Sequence, residues 1–351
     1  MCSSDLSAAA PGVRLADHTT LRVGGPVGRL VAPATEDELV ETVRRLDAAG
    51  EPVLVLRGGS NVLVGDDGFP GTVVKVAARG ISDDVASCSG AVLTVAAGEP
   101  WEDLVAHTLA HEYAGMETLA GIPGLTGGTP IQNVGAYGTE VGQLITQVRT
   151  LDRSTGRIRT FFAVECQFGY RSSRFKSEPG RYLVLSVTFQ LRLGSLSAPI
   201  RYPELARALG VEQGARVPAR EVAAAVLDLR RGKGMVLDDA DPDTWSAGSF
   251  FTNPLLEPDE AAALPADAPR FPQPDGRVKT SAAWLIERAG CGKGFGDGPA
   301  QVSGKHSLAL TNRGSATAAD LLDLARRVRA GVQQSFGITL VPEPVLVGCA
   351  L

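Results

Sequence analysis

Between Gly121 and Gly138 the chain reads GIPGLTGGTPIQNVGAYG, a run that can form neither a regular helix nor a regular strand. Six of its eighteen residues are Gly and two are Pro. Gly reaches backbone conformations closed to other residues and lets the main chain approach a ligand closely. A loop of this kind can turn several backbone N–H groups toward one anion, an arrangement that suits a diphosphate. Gln132, Asn133 and Tyr137 lie among the glycines as further hydrogen-bonding groups. The bland alternative is an irregular connection between sheets, but structureless stretches this long inside a compact domain are usually functional or disordered. The interleaved Ile131, Val134 and Tyr137 argue against disorder.

Whatever this loop serves must fit a soluble, mildly acidic chain. The 351 residues are enough for two or three domains with real cores. A net charge of −5 with 21% charged residues gives no support to nucleic-acid or anionic-membrane binding. No apolar run approaches the ~18 residues that span a bilayer. The five cysteines are scattered without a CxxC pair, which suits reduced thiols in the cytoplasm. Residues 1–13 carry no apolar core or cation typical of a secretory signal and read as a disordered tail of small residues.

In order along the chain, Arg29–Pro33 suggests a strand. Thr35 with Glu38 suggests a capping box that opens a helix with Leu39, Val43 and Leu46 inward. The apolar run Pro52–Leu56 empties directly into RGGSNVLV, Arg57–Val64, a second place to hold phosphate. It is not a Rossmann turn, since GxGxxG and the Walker pattern are both absent. Strands are expected at Thr72–Val76, Val92–Ala97, Ile145–Asp152 and Ile158–Phe162, with an alternating strand at Tyr182–Leu193. Helices are expected at Trp101–His111, Val217–Arg231, Lys279–Gly290 and Thr317–Phe336, the last capped by Gly337. Lys305–Asn312 and Ile338–Val347 read as strands. His107 and His111 share a helix face, but without a third ligand nearby an ordinary helix surface is the better reading than zinc. Arg171, Arg174 and Lys176 cluster beside Tyr170. Alone they would be a solvated edge; beside an anion-binding loop they become candidate ligands for a carboxylate or diphosphate.

Six segments in one order carry a resemblance: GGSNVL at Gly58, GIPGxxGxxPIQNxGAYG at Gly121, CxFGYRxSxFK at Cys166, AGSFFxNP at Ala247, KxxAxWLI at Lys279 and PE at Pro342. The chain resembles the bacterial UDP-N-acetylenolpyruvoylglucosamine reductases from about Leu21 to Gly348. That resemblance implies an α+β fold with a two-subdomain FAD-binding module of the vanillyl-alcohol-oxidase type and a third, substrate-binding α+β domain. The implied boundaries are 14–210 for the FAD module (about 14–85 and 86–210) and 211–337 for the substrate domain. Residues 338–351 would form a C-terminal strand returning to the active site.

By the same resemblance, FAD is held without a covalent bond, by Arg57, Gly58, Gly59, Ser60, Asn61 and Val62 and by Gly121, Ile122, Pro123, Gly124, Gly128, Gln132, Asn133, Gly135, Ala136 and Gly138. Arg171, Ser249 and Glu343 match the catalytic arginine, the proton donor and a carboxylate partner. Tyr137, Tyr170, Tyr202, Lys233, Asn253 and Lys279 match substrate contacts. NADPH is the implied reductant, a UDP-sugar the substrate, and a cytoplasmic monomer the expected form, with no metal, membrane or nucleic-acid partner.

The implied chemistry explains these residue types. Hydride addition to an enolpyruvyl ether places negative charge beside a carboxylate, and the resulting dianion needs fixed cations or donors. Arg171 supplies a permanent, forked cation. Glu343 helps only if it is protonated, held neutral by burial and a like-charged neighbour. The Ser249 hydroxyl is a weak acid, adequate here because the carbon it protonates is strongly basic and the transfer is short. Two other readings stay open: an FAD-dependent alcohol or sugar oxidase of the same fold, and a non-catalytic flavin-binding regulator.

Overall fold

The computed structural model describes residues 12–88 and 90–351, so nearly all of the expected tail at 1–13 lies outside the described chain. The chain gathers into two compact units that interleave in sequence. One comprises 27–58 and 70–232; the other comprises 12–26, 59–69 and 233–351. This division differs from the expected 14–210 and 211–337. Its physical basis in the second unit is the parallel pairing of Val62–Val64 with Val345–Val347, which joins a segment near the N-terminus to the C-terminal strand.

The first unit holds two main sheets and a two-stranded pair, Gly135–Ala136 with Thr139–Glu140. Val53–Leu56 and Phe69–Lys75 run parallel, Val53 opposite Thr72, with Val27–Val31 on the outer side of Phe69–Lys75. The helix Glu36–Ala48 covers them with Leu39, Val43 and Leu46 fully buried, as the periodicity predicts. Its N-cap is half of a capping box: Thr35 accepts from Glu38 N, but Glu38 bonds Ala34 N rather than Thr35 N.

The larger sheet is antiparallel, in the order Arg157–Phe162, Ile145–Asp152, Tyr182–Leu193, Gly90–Ala96, Ile81–Ala86. The strand at Tyr182 shows the expected alternation only from Val187 onward, where Val187, Phe189 and Leu191 are buried and Thr188, Gln190 and Arg192 are not. Tyr182 through Val187 are all buried, because the strand is central and covered on both faces. The edge strand Ile81–Ala86 and the helix Pro203–Leu209 carry no strong apolar period and escape a pattern reading.

In the second unit the helix Ala318–Phe336 spans the predicted range, with Thr317 as N-cap and Gly337 at φ 71° closing it. Both oxygens of Asp66 accept from its first amides, Ala318 N at 2.8 Å and Ala319 N at 3.0 Å. Three expectations are corrected. The helix at Lys279 runs only over Ala282–Arg288, since Ser281 caps it and Lys279 pairs in a short strand. Lys305–Asn312 is a strand only from Leu310. Ile338–Val347 is a strand only at Val345–Val347, because Pro342 and Pro344 lack the N–H a ladder needs.

Candidate active site

In the first unit the two glycine-rich segments meet. Gly58 sits at φ 67°, and a Cβ there would lie 2.8 Å from Gly124 Cα, so backbone packs directly on backbone. The loop is stitched to the segment before helix Trp101–Ala110: Thr126 N donates to Glu99 O at 2.8 Å, Gly127 N to Ala97 O at 2.9 Å, and Trp101 N to Gly124 O at 3.0 Å. Gly128 faces the root of the Arg57 side chain. Arg57 is half-buried as a residue, but its Nε is sealed from solvent and has no hydrogen-bond partner. Burial, with help from the Arg153 cation, pulls its pKa down to about 10. An enclosed cation with an unmet donor beside two close-packed glycine turns fits an anionic diphosphate, and hence FAD.

Asn133, at φ 47°, is 2% exposed. Its Nδ2 donates to Glu140 Oε2 at 2.8 Å and Gly169 O at 3.0 Å, while Oδ1 accepts from Gly142 N at 2.8 Å. Both Nδ2 protons are therefore committed to holding the loop. Gln132, Ile122, Pro123 and Ala136 are half-buried on the same stretch.

The structure sorts the basic cluster. Arg171, at φ 50°, sends Nη2 to Gly135 O at 2.9 Å, so its guanidinium lies against the glycine loop. Lys176 Nζ turns back to Arg171 O at 3.0 Å, and Arg174 Nε bonds Glu165 O at 2.7 Å. Ser173 ties the same turn to Ile131 O. Tyr170 lies under Arg171, 5.4 Å from its guanidinium carbon. Tyr137, at φ 47°, meets Tyr202 edge-on at 5.5 Å. Burial pushes the Tyr137 phenol up to about 12, with Arg230 pulling the other way and Glu204 and Tyr202 adding to the rise. Tyr202 itself is 42% exposed at the start of helix Pro203–Leu209.

The second unit brings Ser249 and Glu343 onto neighbouring backbones. Glu343 N donates to Phe250 O at 2.8 Å, next to Ser249, and Phe250 N donates to Leu308 O at 2.7 Å. Phe250 and Phe251, both 1% exposed, anchor this segment in the core. On the other side of Ser249, Gly248 at φ 73° donates to Ser246 Oγ, and Thr20 Oγ1 grips Ser246 O at 2.6 Å. Asn61 reaches the same place: its Nδ2 approaches Glu343 O at 3.4 Å and its carbonyl accepts from Val345 N at 3.0 Å. Gly59 is sterically required, since a Cβ would fall 1.9 Å from His18 O. Ser60 and Val62 continue this turn into the paired strand. Asn253 Oδ1 accepts from Ala282 N at 2.9 Å, near Lys279, and Lys233 is half-buried at the unit's edge.

Sequence reasoning missed Arg230, whose Nε donates to Gly121 O at 3.2 Å. A signal existed: it continues the buried stripe Val222, Val226 at four-residue spacing, where a charge is out of place. His107 is taken up by Asp83 at 2.8 Å, and among the described residues no group of three or more His, Cys, Asp or Glu could hold a metal. No helix among them is long and apolar enough to cross a membrane.

The fold and the cradle define an α+β flavoprotein. A family model described as an FAD binding domain matches residues 27–161, and one described as the C-terminal domain of UDP-N-acetylenolpyruvoylglucosamine reductase matches 241–347. The reductase of that name from Cutibacterium acnes is 61% identical over 97% of this chain and 90% of its own length. That of Thermobifida fusca is 54% identical over 97% and 99%. The crystal structure of the Thermus caldophilus reductase superposes with a TM-score of 0.65 at 28% identity, covering 95% of this chain and 97% of that one. The chain belongs to the UDP-N-acetylenolpyruvoylglucosamine reductase family.

Proposed function

We propose that the chain reduces the enolpyruvyl ether of UDP-N-acetylenolpyruvoylglucosamine to the lactyl ether of UDP-N-acetylmuramate, a step in peptidoglycan precursor synthesis, with Arg171, Ser249 and Glu343 as its catalytic residues. FAD, when bound and reduced by NADPH, supplies a hydride for the terminal vinyl carbon. Family membership and the fit of the glycine cradle to a diphosphate support this cofactor.

The chain's own groups handle charge and proton. The substrate carboxylate becomes an enediolate as the hydride arrives, and Arg171 answers that charge with a cation whose orientation is set by Gly135 O. Ser249 gives its hydroxyl proton to the carbon beside the carboxylate, completing the C–H bond of the lactyl group. Glu343, in its protonated form, donates to the developing negative charge; ionised, it would oppose it. The observation that carries this reading is the 2.8 Å bond from Glu343 N to Phe250 O, which fixes donor and carboxylate on adjacent backbones before any substrate arrives.

Arg57 and the glycines of both turns are the proposed cofactor ligands, with Asn133 shaping the loop. Tyr137, Tyr170, Tyr202, Lys233, Asn253 and Lys279 are the proposed contacts to the nucleotide sugar. The proposed form is a cytoplasmic monomer.

The test follows the two half-reactions by flavin absorbance. Ser249→Ala is expected to leave bleaching by NADPH intact while reoxidation by the enolpyruvyl substrate falls by about 10²–10⁴-fold. Equal loss in both halves removes the proton-donor role. Rapid peroxide formation without the enolpyruvyl substrate would make the chain an oxidase instead.

A further inference from the structure

Within the second unit, the cofactor turn at Gly59 and the segment that carries Ser249 are joined by residues 18–23, which lie outside all six sequence motifs. Thr20 makes both connections. Its N–H donates to Gly59 O at 3.1 Å, and its Oγ1 donates to Ser246 O at 2.6 Å. Ser246 Oγ in turn accepts from Gly248 N at 3.2 Å, and Gly248, at φ 73°, leads directly into Ser249. The bridging segment is itself held in place. Thr19 Oγ1 donates to Val23 O at 3.1 Å, and Arg22 N donates to Thr19 O at 3.2 Å. The buried Asn312 donates Nδ2 to Leu21 O at 3.1 Å and its own N–H to Trp245 O at 3.0 Å. The Arg22 guanidinium lies over the Trp245 ring, 3.9 Å from its centroid.

We propose that Thr20 is a positioning residue for the reduction, tying the cofactor turn at Gly59 to the Ser246 end of the proton-donor segment and so fixing where Ser249 stands relative to that turn. The bond from Glu343 N to Phe250 O holds Ser249 from its C-terminal side, and Thr20 holds it from the other. A threonine suits this task because its side chain is short and stiff at χ1, so two bonds from one residue set one spacing. Both partners are already anchored, so little conformational entropy is lost in making the bond. Proton delivery needs that spacing, since a displacement of about 1 Å can cost about 10²-fold in rate. The neighbour Thr19 shows the contrast: its hydroxyl is spent inside its own turn, on Val23 O. The role rests on the reading of Ser249 as the proton donor, but its first readout needs no turnover.

The experiment compares the FAD-loaded full chain with Thr20→Val, Thr20→Ala, Thr20→Ser and Thr339→Val, the last removing an exposed hydroxyl that bonds Gln333. Amide hydrogen exchange is measured across 244–252, with a thermal melt as the folding check. Thr20→Val and Thr20→Ala are expected to speed exchange at 246–249 about tenfold, the effect of one lost hydrogen bond, while the melt stays cooperative. Thr20→Ser and Thr339→Val should match the wild type. Thr20→Val should bleach with NADPH at the wild-type rate. Its reoxidation by the enolpyruvyl substrate should be about tenfold slower, with a larger solvent deuterium isotope effect because proton transfer has become the slow event. Unchanged exchange at 246–249, acceleration spread evenly over the whole unit, equal slowing of both half-reactions, or an unchanged isotope effect overturns the proposal. If Thr20→Val does not fold, Thr20→Ala and Thr20→Ser, which differ by one oxygen atom, carry the test: equal exchange in the two overturns it. Should the exchange pattern hold while the wild-type chain fails to reduce the enolpyruvyl substrate, the functional reading falls and the tie through Thr20 stands.

Discussion

Arg57 gives the sharpest test of the cofactor cradle, because structure and function pull it in opposite directions. Its Nε is buried with no hydrogen-bond partner, and its pKa falls to about 10 from an ordinary 12.5. A lowered folded-state pKa means the folded protein holds that proton less firmly than the unfolded chain does. The penalty is therefore fully present below pH 10 and is relieved only as pH rises from 10 toward 12.5. A drop of that size corresponds to about 3 kcal/mol. The residue as a whole keeps some access to solvent, so the lower figure of about 2 kcal/mol, typical of a buried unmet donor, is the better estimate. Arg57→Met keeps most of the side-chain volume and removes the charge. The cofactor-free protein should then melt about 5 °C higher, equally at pH 6 and pH 9. FAD affinity should fall by about 10–100-fold, since a charge-assisted contact to the diphosphate is lost. Calorimetry of the cofactor-free protein and flavin fluorescence titration measure the two effects. A lower melting temperature with unchanged FAD affinity would refute both the strain and its purpose.

Three further outcomes follow from the geometry. Asn133→Leu removes three side-chain hydrogen bonds and places a larger side chain at φ 47°, so it should cost at least about 3 kcal/mol of stability, read by urea denaturation. Gly59→Ala, where Cβ would strike His18 O, should yield little soluble protein, while Gly156→Ala, at a turn open to solvent, should be expressed and strained only by its φ of 68°. Asp152 is held to a pKa of about 2 by Arg181 first and by Ser154. Its folded-state pKa is depressed, so its contribution is present above pH 4 and lost as pH falls from 4 through 2. Acid titration followed by circular dichroism should show that loss, and Asp152→Asn should flatten it.

Local signals sufficed where the chain's own chemistry was decisive. The caps Thr317 and Gly337 bound their helix because they satisfy its end groups, and six Gly with two Pro kept Gly121–Gly138 irregular. The motifs around Arg171, Ser249 and Glu343 named their candidates because those residue types suit the charge and proton of an enolpyruvyl reduction. Local pattern failed where distant partners governed. Tyr182–Val187 looked half-exposed until neighbouring strands and covering elements buried both faces. Asn133 reads as a ligand in the sequence, and only folding shows its amide protons spent on Glu140 and Gly169. Arg174 and Lys176 are indistinguishable from Arg171 by composition; in the fold Arg174 bonds Glu165 O, Lys176 bonds Arg171 O, and Arg171 bonds Gly135 O on the loop. The sequence alone thus determined the kind of chemistry and most of the elements. Which donors are consumed by the protein and which remain for a ligand was decided by tertiary structure, because a hydrogen bond depends on distance and angle that no one-dimensional spacing contains.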